Sequence, residues 1–231
     1  MSLRIGPAGL GSSKLALETL EKYHSLGFGA CEIAFVHSVY IKSEEEAKKI
    51  GQKARELDIK LSIHAPYYMN LNSAEKEKRE ATKKRILDCC RVAQWLGGAT
   101  VVFHPGYYGK DKDSSYNVIK HELESVVKEA KEKYPLAILA PETMGKVNVF
   151  GSIDEVARLA KETKSGFCID FAHILARDKK VDYELVEEFF PGNKWHVHFS
   201  GIEYGDKGEK NHRKTTREEW QELLENLPKD K

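Results

Sequence analysis

Ala99-Thr-Val-Val-Phe-His104 is a short apolar run that ends on a histidine. Gly97 and Gly98 stop a helical pattern just before it, and Pro105-Gly106 breaks the chain just after it. Residues two apart in an extended strand share a face. Val102 therefore lies beneath His104, while Val101 and Phe103 point the other way. The same format recurs along the chain. Apolar runs at 59–64, 136–140, 166–170 and 194–199 carry His64, Glu142, Asp170 and His198 at or just past their ends. Ser62, Ala140, Cys168 and His196 then fall on the faces of these terminal groups. Leu61, Ile63, Leu139, Ile169, Val197 and Phe199 make an opposite, apolar face suited to a layer of helices.

Two further runs, 3–7 and 30–36, precede these five. Helical patterns separate the runs: one capped by Ser12 or Ser13 and ending near Gly27, one opened by Ser43, one from Ser73 to Gly97, then 115–133, 153–163, 183–189 and 216–226. Strict strand–helix alternation implies parallel strands with helices outside. One polar group at each successive strand end, all on the inward face, predicts a TIM (β/α)8 barrel with its site at the C-terminal mouth. A doubly wound open sheet would gather such groups at one switch point instead. Residues 1–231 are expected to form one such domain. Seven strands are legible, and the eighth is expected beyond Lys231.

Composition narrows the function. The 231 residues hold 37 Lys and Arg against 36 Asp and Glu, a formal charge of +1, with 41% hydrophobic residues. That apolar share supports a packed core and argues against disorder. Near-neutrality excludes a globally basic nucleic-acid coat but permits a local basic rim. No run is long and apolar enough for a membrane span, and the first residues lack a signal-peptide core. A cytoplasmic protein is expected. Cys31, Cys89, Cys90 and Cys168 form no C-x-x-C pair, so buried thiols are expected. No G-x-G-x-x-G or P-loop motif points to a nucleotide cofactor.

Imidazoles with carboxylates suit Zn²⁺, with Mn²⁺ or Fe²⁺ as alternatives. His173 follows Asp170 by three residues, and His212 sits in a charged stretch, 204–214, expected to be a loop. Seven candidate ligands (His64, His104, Glu142, Asp170, His173, His198 and His212) exceed the needs of one ion. Clustered ions lie about 3.5–4 Å apart and share ligands, and Glu142 is placed to bridge them. His196, one layer deeper, is expected to be a buried hydrogen-bonded residue rather than a ligand. His24, His37 and His121 are expected at the surface.

The segments Ile63-His-Ala-Pro-Tyr-Tyr-Met-Asn-Leu71, Phe103-His-Pro-Gly106, Pro141-Glu-Thr-Met-Gly145, Cys168-Ile-Asp-Phe-Ala-His173 and His196-Val-His-Phe199 resemble endonuclease IV, the metal-dependent apurinic/apyrimidinic endonuclease family. The resemblance runs from the first strand to about His212. It implies a TIM barrel with two to three Zn²⁺ ions that cleaves double-stranded DNA 5′ to an abasic site in base excision repair. It implies His64, His104 and Glu142 at one ion, Glu142, Asp170 and His198 at a second, and His173 and His212 at a third. Glu142 is then the central catalytic residue, and a water activated between ions would attack phosphorus.

By the same resemblance, Tyr67 and Tyr68 lie on a loop that inserts beside the abasic site. Lys207, Lys210 and Arg213 offer phosphate contacts, as do Lys110, Arg177, Lys179 and Lys180 in other loops. The protein is expected to act as a monomer. Three departures stand out. Lys210 occupies the place of a family aspartate, with Glu209 beside it as a substitute. The family's final glutamate falls beyond Lys231, and an N-terminal histidine of bacterial members is absent. Two rival readings follow: a single-metal sugar isomerase or epimerase on Glu142, Asp170 and His198, and a non-catalytic DNA-damage binding module.

Overall fold

The computed structural model describes residues 3–192 and 194–228. Six parallel strands alternate with helices: β1 (Ala30–Ala34), β2 (Lys60–His64), β3 (Ala99–Phe103), β4 (Ala137–Pro141), β5 (Ile169–Asp170) and β6 (Val197–His198). The helices are α1 (Ala16–Ser25), α2 (Glu44–Glu56), α3 (Lys76–Trp95), α4 (Lys112–Lys133), α5 (Ile153–Thr163), α6 (Phe171–Asp178), α7 (Tyr183–Phe189) and α8 (Arg217–Asn226). β1 to β4 pair in sequence order, and β5 pairs with β6, all parallel. The two sheets join where Cys168 N donates to Pro141 O at 2.9 Å and Thr143 N to Cys168 O at 3.1 Å. The result is the expected curved wall of an α/β barrel.

The alternation of the strands sorts their side chains as the sequence implied. Ile33, Ile63, Val101, Phe103 and Leu139 are buried outward in the main core beneath the helices. Ile169 packs with Val156, Phe171, Ile174, Val186, Phe190 and Leu223 in a second core. Val102, Ala140 and Cys168 form a separate small cluster inside the barrel. Such fully buried aliphatic side chains each contribute about 1.5–3 kcal/mol. All four cysteines are free and buried.

Several elements differ from expectation. The run at 3–7 forms no regular strand. It still lines β1, with Ala30 N donating to Ile5 O (3.2 Å), Glu32 N to Pro7 O (3.1 Å) and Gly9 N to Glu32 O (2.8 Å). Pro7 has no N–H to give in return. Gly6 passes so close to Ala30 that a Cβ there would collide with the Ala30 carbonyl. The third long helix is capped by Glu75 rather than Ser73, whose backbone carbonyl accepts from Arg79. α4 begins at Lys112, capped by Asp111, which accepts from Ser114 N at 2.7 Å.

α6 was not foreseen as a helix. The stretch after it was expected as a loop but folds as an antiparallel hairpin, β7 (Gly201–Gly205) and β8 (Gly208–Arg213). Among the described residues no eighth parallel strand follows α8. None of the described helices is long and apolar enough to cross a membrane.

Candidate metal centre

Glu142 follows β4 and is 1% exposed. Its two carboxylate oxygens diverge. Oε2 lies 3.2 Å from His64 Nε2 and 3.1 Å from His104 Nε2. Oε1 lies 2.8 Å from His198 Nδ1 and 3.7 Å from His173 Nδ1. Rings from the ends of β2, β3 and β6 thus converge on one buried carboxylate.

Asp170, at the end of β5, serves two roles. Its Oδ1 caps α6 by accepting from His173 N at 2.8 Å. Its Oδ2 lies 3.6 Å from His173 Nδ1. A carboxylate has two oxygens, so capping by one leaves the other free to face the cluster. His173 is placed by the first turn of α6, and its Nδ1–H donates to Thr143 O at 2.8 Å.

The hairpin supplies the remaining groups. Glu209 N donates to Gly145 O at 3.0 Å and Val147 N to Lys207 O at 3.3 Å, which pins β8 against the loop after β4. Gly208 makes this approach possible: its φ is +90°, and a Cβ would collide with the Gly145 carbonyl. Glu209 Oε2 then lies 3.7 Å from His173 Nε2 and Oε1 3.6 Å from His212 Nε2, while the two imidazole nitrogens are 3.3 Å apart. Glu209 thus faces the two imidazoles, whereas the Lys210 side chain is exposed.

Among the described residues, potential ligand atoms within 4.8 Å of one another fall into four overlapping sets: His64, Glu142 and His198; Glu142, Asp170 and His173; His173, Glu209 and His212; and Cys168, His196 and His198. Ligands at about 2.0–2.2 Å on one tetrahedral ion lie roughly 3.2–3.6 Å apart. The observed spacings run from 2.8 to 3.7 Å and so bracket that range. The mixed nitrogen and oxygen donors suit Zn²⁺, Mn²⁺ or Fe²⁺ rather than Ca²⁺. Outer partners orient the rings as metal ligands require. His64 Nδ1–H donates to Ala65 O at 2.8 Å, and His212 Nδ1 shares a 2.7 Å hydrogen bond with Ser200 Oγ. The other nitrogen of each ring is left facing the carboxylates.

Electrostatics follows from burial and pairing. Burial opposes charge on Glu142, but the charge on His198 and hydrogen bonds from His104, His198 and His64 hold its carboxyl well below the usual range. Burial likewise disfavours charge on His64. The Glu142 hydrogen bond and charge outweigh it, so the His64 pKa is raised. His173 is raised by Asp170, Glu142 and Glu209 against the same burial penalty. His198 is raised well above normal, with Cys168, Glu32 and Glu142 opposing its desolvation. At His104 burial wins, and its pKa is lowered.

Glu32 was not anticipated. It sits in the middle of β1, 8% exposed, and faces into the barrel. Its Oε2 accepts from His198 Nε2 at 2.9 Å and from Ser62 Oγ at 3.1 Å. The available signal was a lone charge in the apolar run 30–36 whose neighbours Cys31, Ile33 and Phe35 alternate outward into the core. His196, expected to be buried and hydrogen-bonded, is only partly buried; its Nε2 has no hydrogen-bond partner, stands 3.6 Å from Glu32 Oε2, and the residue groups with Cys168 and His198 as a potential ligand. His24, His37 and His121 are exposed, as expected.

The residues expected to touch DNA are less uniform. Tyr67 is 48% exposed and stands over the centre, its ring 5.4 Å from that of His64 and 5.7 Å from that of His104. Tyr68 is 71% exposed and stacks on His37 at 6.3 Å. Lys207 and Lys210 lie exposed on the hairpin. Arg213 is bound to Glu219 through contacts of 2.6 and 3.1 Å. Arg177 lies in α6 rather than a loop, and its guanidinium donates to the carbonyls of Lys146 (2.8 Å) and Val149 (2.9 Å). Lys179 Nζ donates to the Ala176 and Gly205 carbonyls.

A curved parallel sheet with imidazoles and carboxylates gathered beyond its C-terminal strand ends defines an α/β barrel of the kind whose chemistry sits on the strand-tip loops. The chain belongs to the xylose isomerase-like TIM barrel family, whose model matches residues 20–227. It is 39% identical over 224 residues to an uncharacterized protein of Methanocaldococcus jannaschii, covering 91% of this chain and 81% of that one. It is 31% identical over 188 residues to the apurinic-apyrimidinic endonuclease of Caenorhabditis elegans, covering 73% of this chain but only 46% of the relative. Its fold also matches an L-ribulose 3-epimerase structure with a TM-score of 0.69 at 20% identity, covering 87% of this chain and 70% of that one. The family thus includes proteins named for DNA cleavage, and the fold is shared with sugar epimerases.

Proposed function

We propose that this protein is a divalent-metal phosphodiesterase that nicks duplex DNA 5′ to abasic sites. The observation that carries the reading is the convergence of His64, His104 and His198 on the two oxygens of Glu142, beside a separate His173–Glu209–His212 group. A single-ion isomerase has no use for six such donors around a shared carboxylate. Bound ions would supply an activated water as nucleophile and neutralise charge on the phosphate.

The protein's own residues do the rest. Glu142 holds the two halves of the centre in register through its divergent oxygens. Tyr67 and Tyr68 project beside the mouth, where an aromatic ring can fill the space left by a missing base. Lys207 and Lys210 place positive charge on the hairpin for flanking phosphates. Arg213 and Arg177 are held by Glu219 and by main-chain carbonyls, so DNA contact by either would require breaking those bonds.

The test is a duplex carrying one tetrahydrofuran abasic analogue. Zinc-loaded protein is expected to nick it on the 5′ side, and EDTA to stop the reaction. Epimerisation of ketose sugars without nicking would establish the isomerase reading. Tight binding without cleavage by fully metal-loaded protein would establish the binding module. Tyr67→Ala is expected to weaken abasic-duplex binding about 10-fold, the scale of one base-stacking contact. Unchanged affinity in a gel-shift titration would assign Tyr67 to packing on the rim.

A further inference from the structure

His198 hydrogen-bonds a carboxylate through each of its two nitrogens. Nδ1 lies 2.8 Å from Glu142 Oε1, and Nε2 lies 2.9 Å from Glu32 Oε2. The other rings with assigned outer bonds use neutral partners: the Ala65 carbonyl for His64, the Thr143 carbonyl for His173 and the Ser200 hydroxyl for His212. In each of these three the bonded nitrogen is Nδ1, and Nε2 faces the candidate ion. In His198 the roles are exchanged. Glu32 is held in place by Ser62 Oγ at 3.1 Å, from the neighbouring strand. β1 pairs with β2 so that Glu32 and Ser62 stand side by side. The carboxylate is thus built into the barrel wall rather than carried on a loop.

We propose that Glu32 is the positioning residue for an ion held by His198 Nδ1 and Glu142 Oε1. It accepts the Nε2 proton of His198, fixes the ring in the tautomer that presents Nδ1 beside Glu142 Oε1, and makes that nitrogen a stronger donor. A carboxylate behind an imidazole increases its basicity and locks its orientation. A full negative charge does this more strongly than a carbonyl or a hydroxyl, because charge-assisted hydrogen bonds are the stronger kind. The inference rests on the metal-centre part of the proposed function but not on the DNA substrate.

The experiment measures zinc affinity by competition with a chromogenic chelator, in wild type, Glu32→Gln and Glu32→Ala. Circular dichroism and urea unfolding check that each variant folds. Removing an outer carboxylate weakens metal affinity about 10–100-fold. Glu32→Ala is expected to show that loss for one ion per chain, with the other sites unchanged. Glu32→Gln keeps an acceptor oxygen but loses the charge, and is expected to fall between wild type and Glu32→Ala.

Nitrogen-15 NMR of the zinc-loaded wild type is expected to show His198 protonated on Nε2, with that proton slow to exchange. A role confined to packing would leave the tautomer unmoved in the variants. Unchanged zinc affinity in both variants, or a proton on His198 Nδ1, overturns the proposal. So does a thiolate-to-metal charge-transfer band in cobalt-loaded wild type that disappears in Cys168→Ser. Such a band would place an ion among Cys168, His196 and His198, on the Nε2 side of the ring. Loss of affinity in the variants together with no nicking by wild type would reject the endonuclease and leave the role of Glu32 standing.

Discussion

Single side chains decide the chemistry. Glu142 is asked to serve two ions at once, so Glu142→Gln is expected to cut nicking by about 100-fold or more, beyond the usual cost of an outer-shell change. Its urea midpoint in EDTA reports whether the fold survives. Retained nicking would remove Glu142 from the bridging position. Glu209 and Lys210 offer a sharper contrast, since they are adjacent but face different ways. Glu209→Ala is expected to lose one bound ion per chain by elemental analysis, and Lys210→Ala none. The histidines and carboxylates of the strand ends were legible in the sequence because each closes an apolar run on the same face. Glu32 was not, because a charge in mid-strand is read as a break in the apolar pattern until its partner, 166 residues away, is seen. His212 was legible only as a candidate; its approach to His173 depends on a hairpin that the charged stretch 204–214 does not advertise.

The elements matter through the places they hold those side chains. α6 was missed because its eight residues are too few for helical periodicity to stand out. Its importance is that Asp170 caps it and His173 sits in its first turn. The β7–β8 hairpin was missed because its strands are mostly polar and half exposed, and they pair with each other rather than with the barrel. Gly208 ties that hairpin to Gly145 with a positive φ and no room for a side chain. Gly208→Ala would carry strain on the order of 1–3 kcal/mol. It is expected to displace Glu209, lowering metal content by one ion while the barrel stays folded. An ion count equal to wild type would show that the hairpin tolerates the added Cβ.

At the scale of the whole molecule, the centre couples pH, metal and stability. His64, His173 and His198 have raised pKa values in the fold. The stability they contribute is present in full below their unfolded pKa of about 6.5 and is lost as pH rises through their folded values. The lowered pKa of Glu142 acts oppositely. Its contribution is present above about pH 4.3 and is lost as pH falls through the folded value. EDTA-treated protein is therefore expected to lose stability from pH 6 towards pH 9, read as a falling urea midpoint. Zinc affinity should rise over the same range, because the imidazoles must give up protons to bind. Zinc at about 100 times its dissociation constant should add roughly 2.7 kcal/mol per site. A midpoint independent of both pH and zinc would mean that the cluster is not a metal centre.

The barrel was readable from the strand–helix alternation, and the outward core from the two-residue period. The irregular pairing of residues 3–7 was not, because it depends on Gly6 pressing against Ala30 rather than on any apolar pattern.

The central claim is that imidazoles and carboxylates from successive strand ends hold several cations together through Glu142. Elemental analysis of purified wild type and Glu142→Gln, each equilibrated with zinc and freed of excess, tests it most directly. Two to three zinc atoms per wild-type chain are expected, falling to one in Glu142→Gln as the His173–Glu209–His212 group alone retains its ion. One atom or none in wild type, or the same count in both proteins, would contradict it.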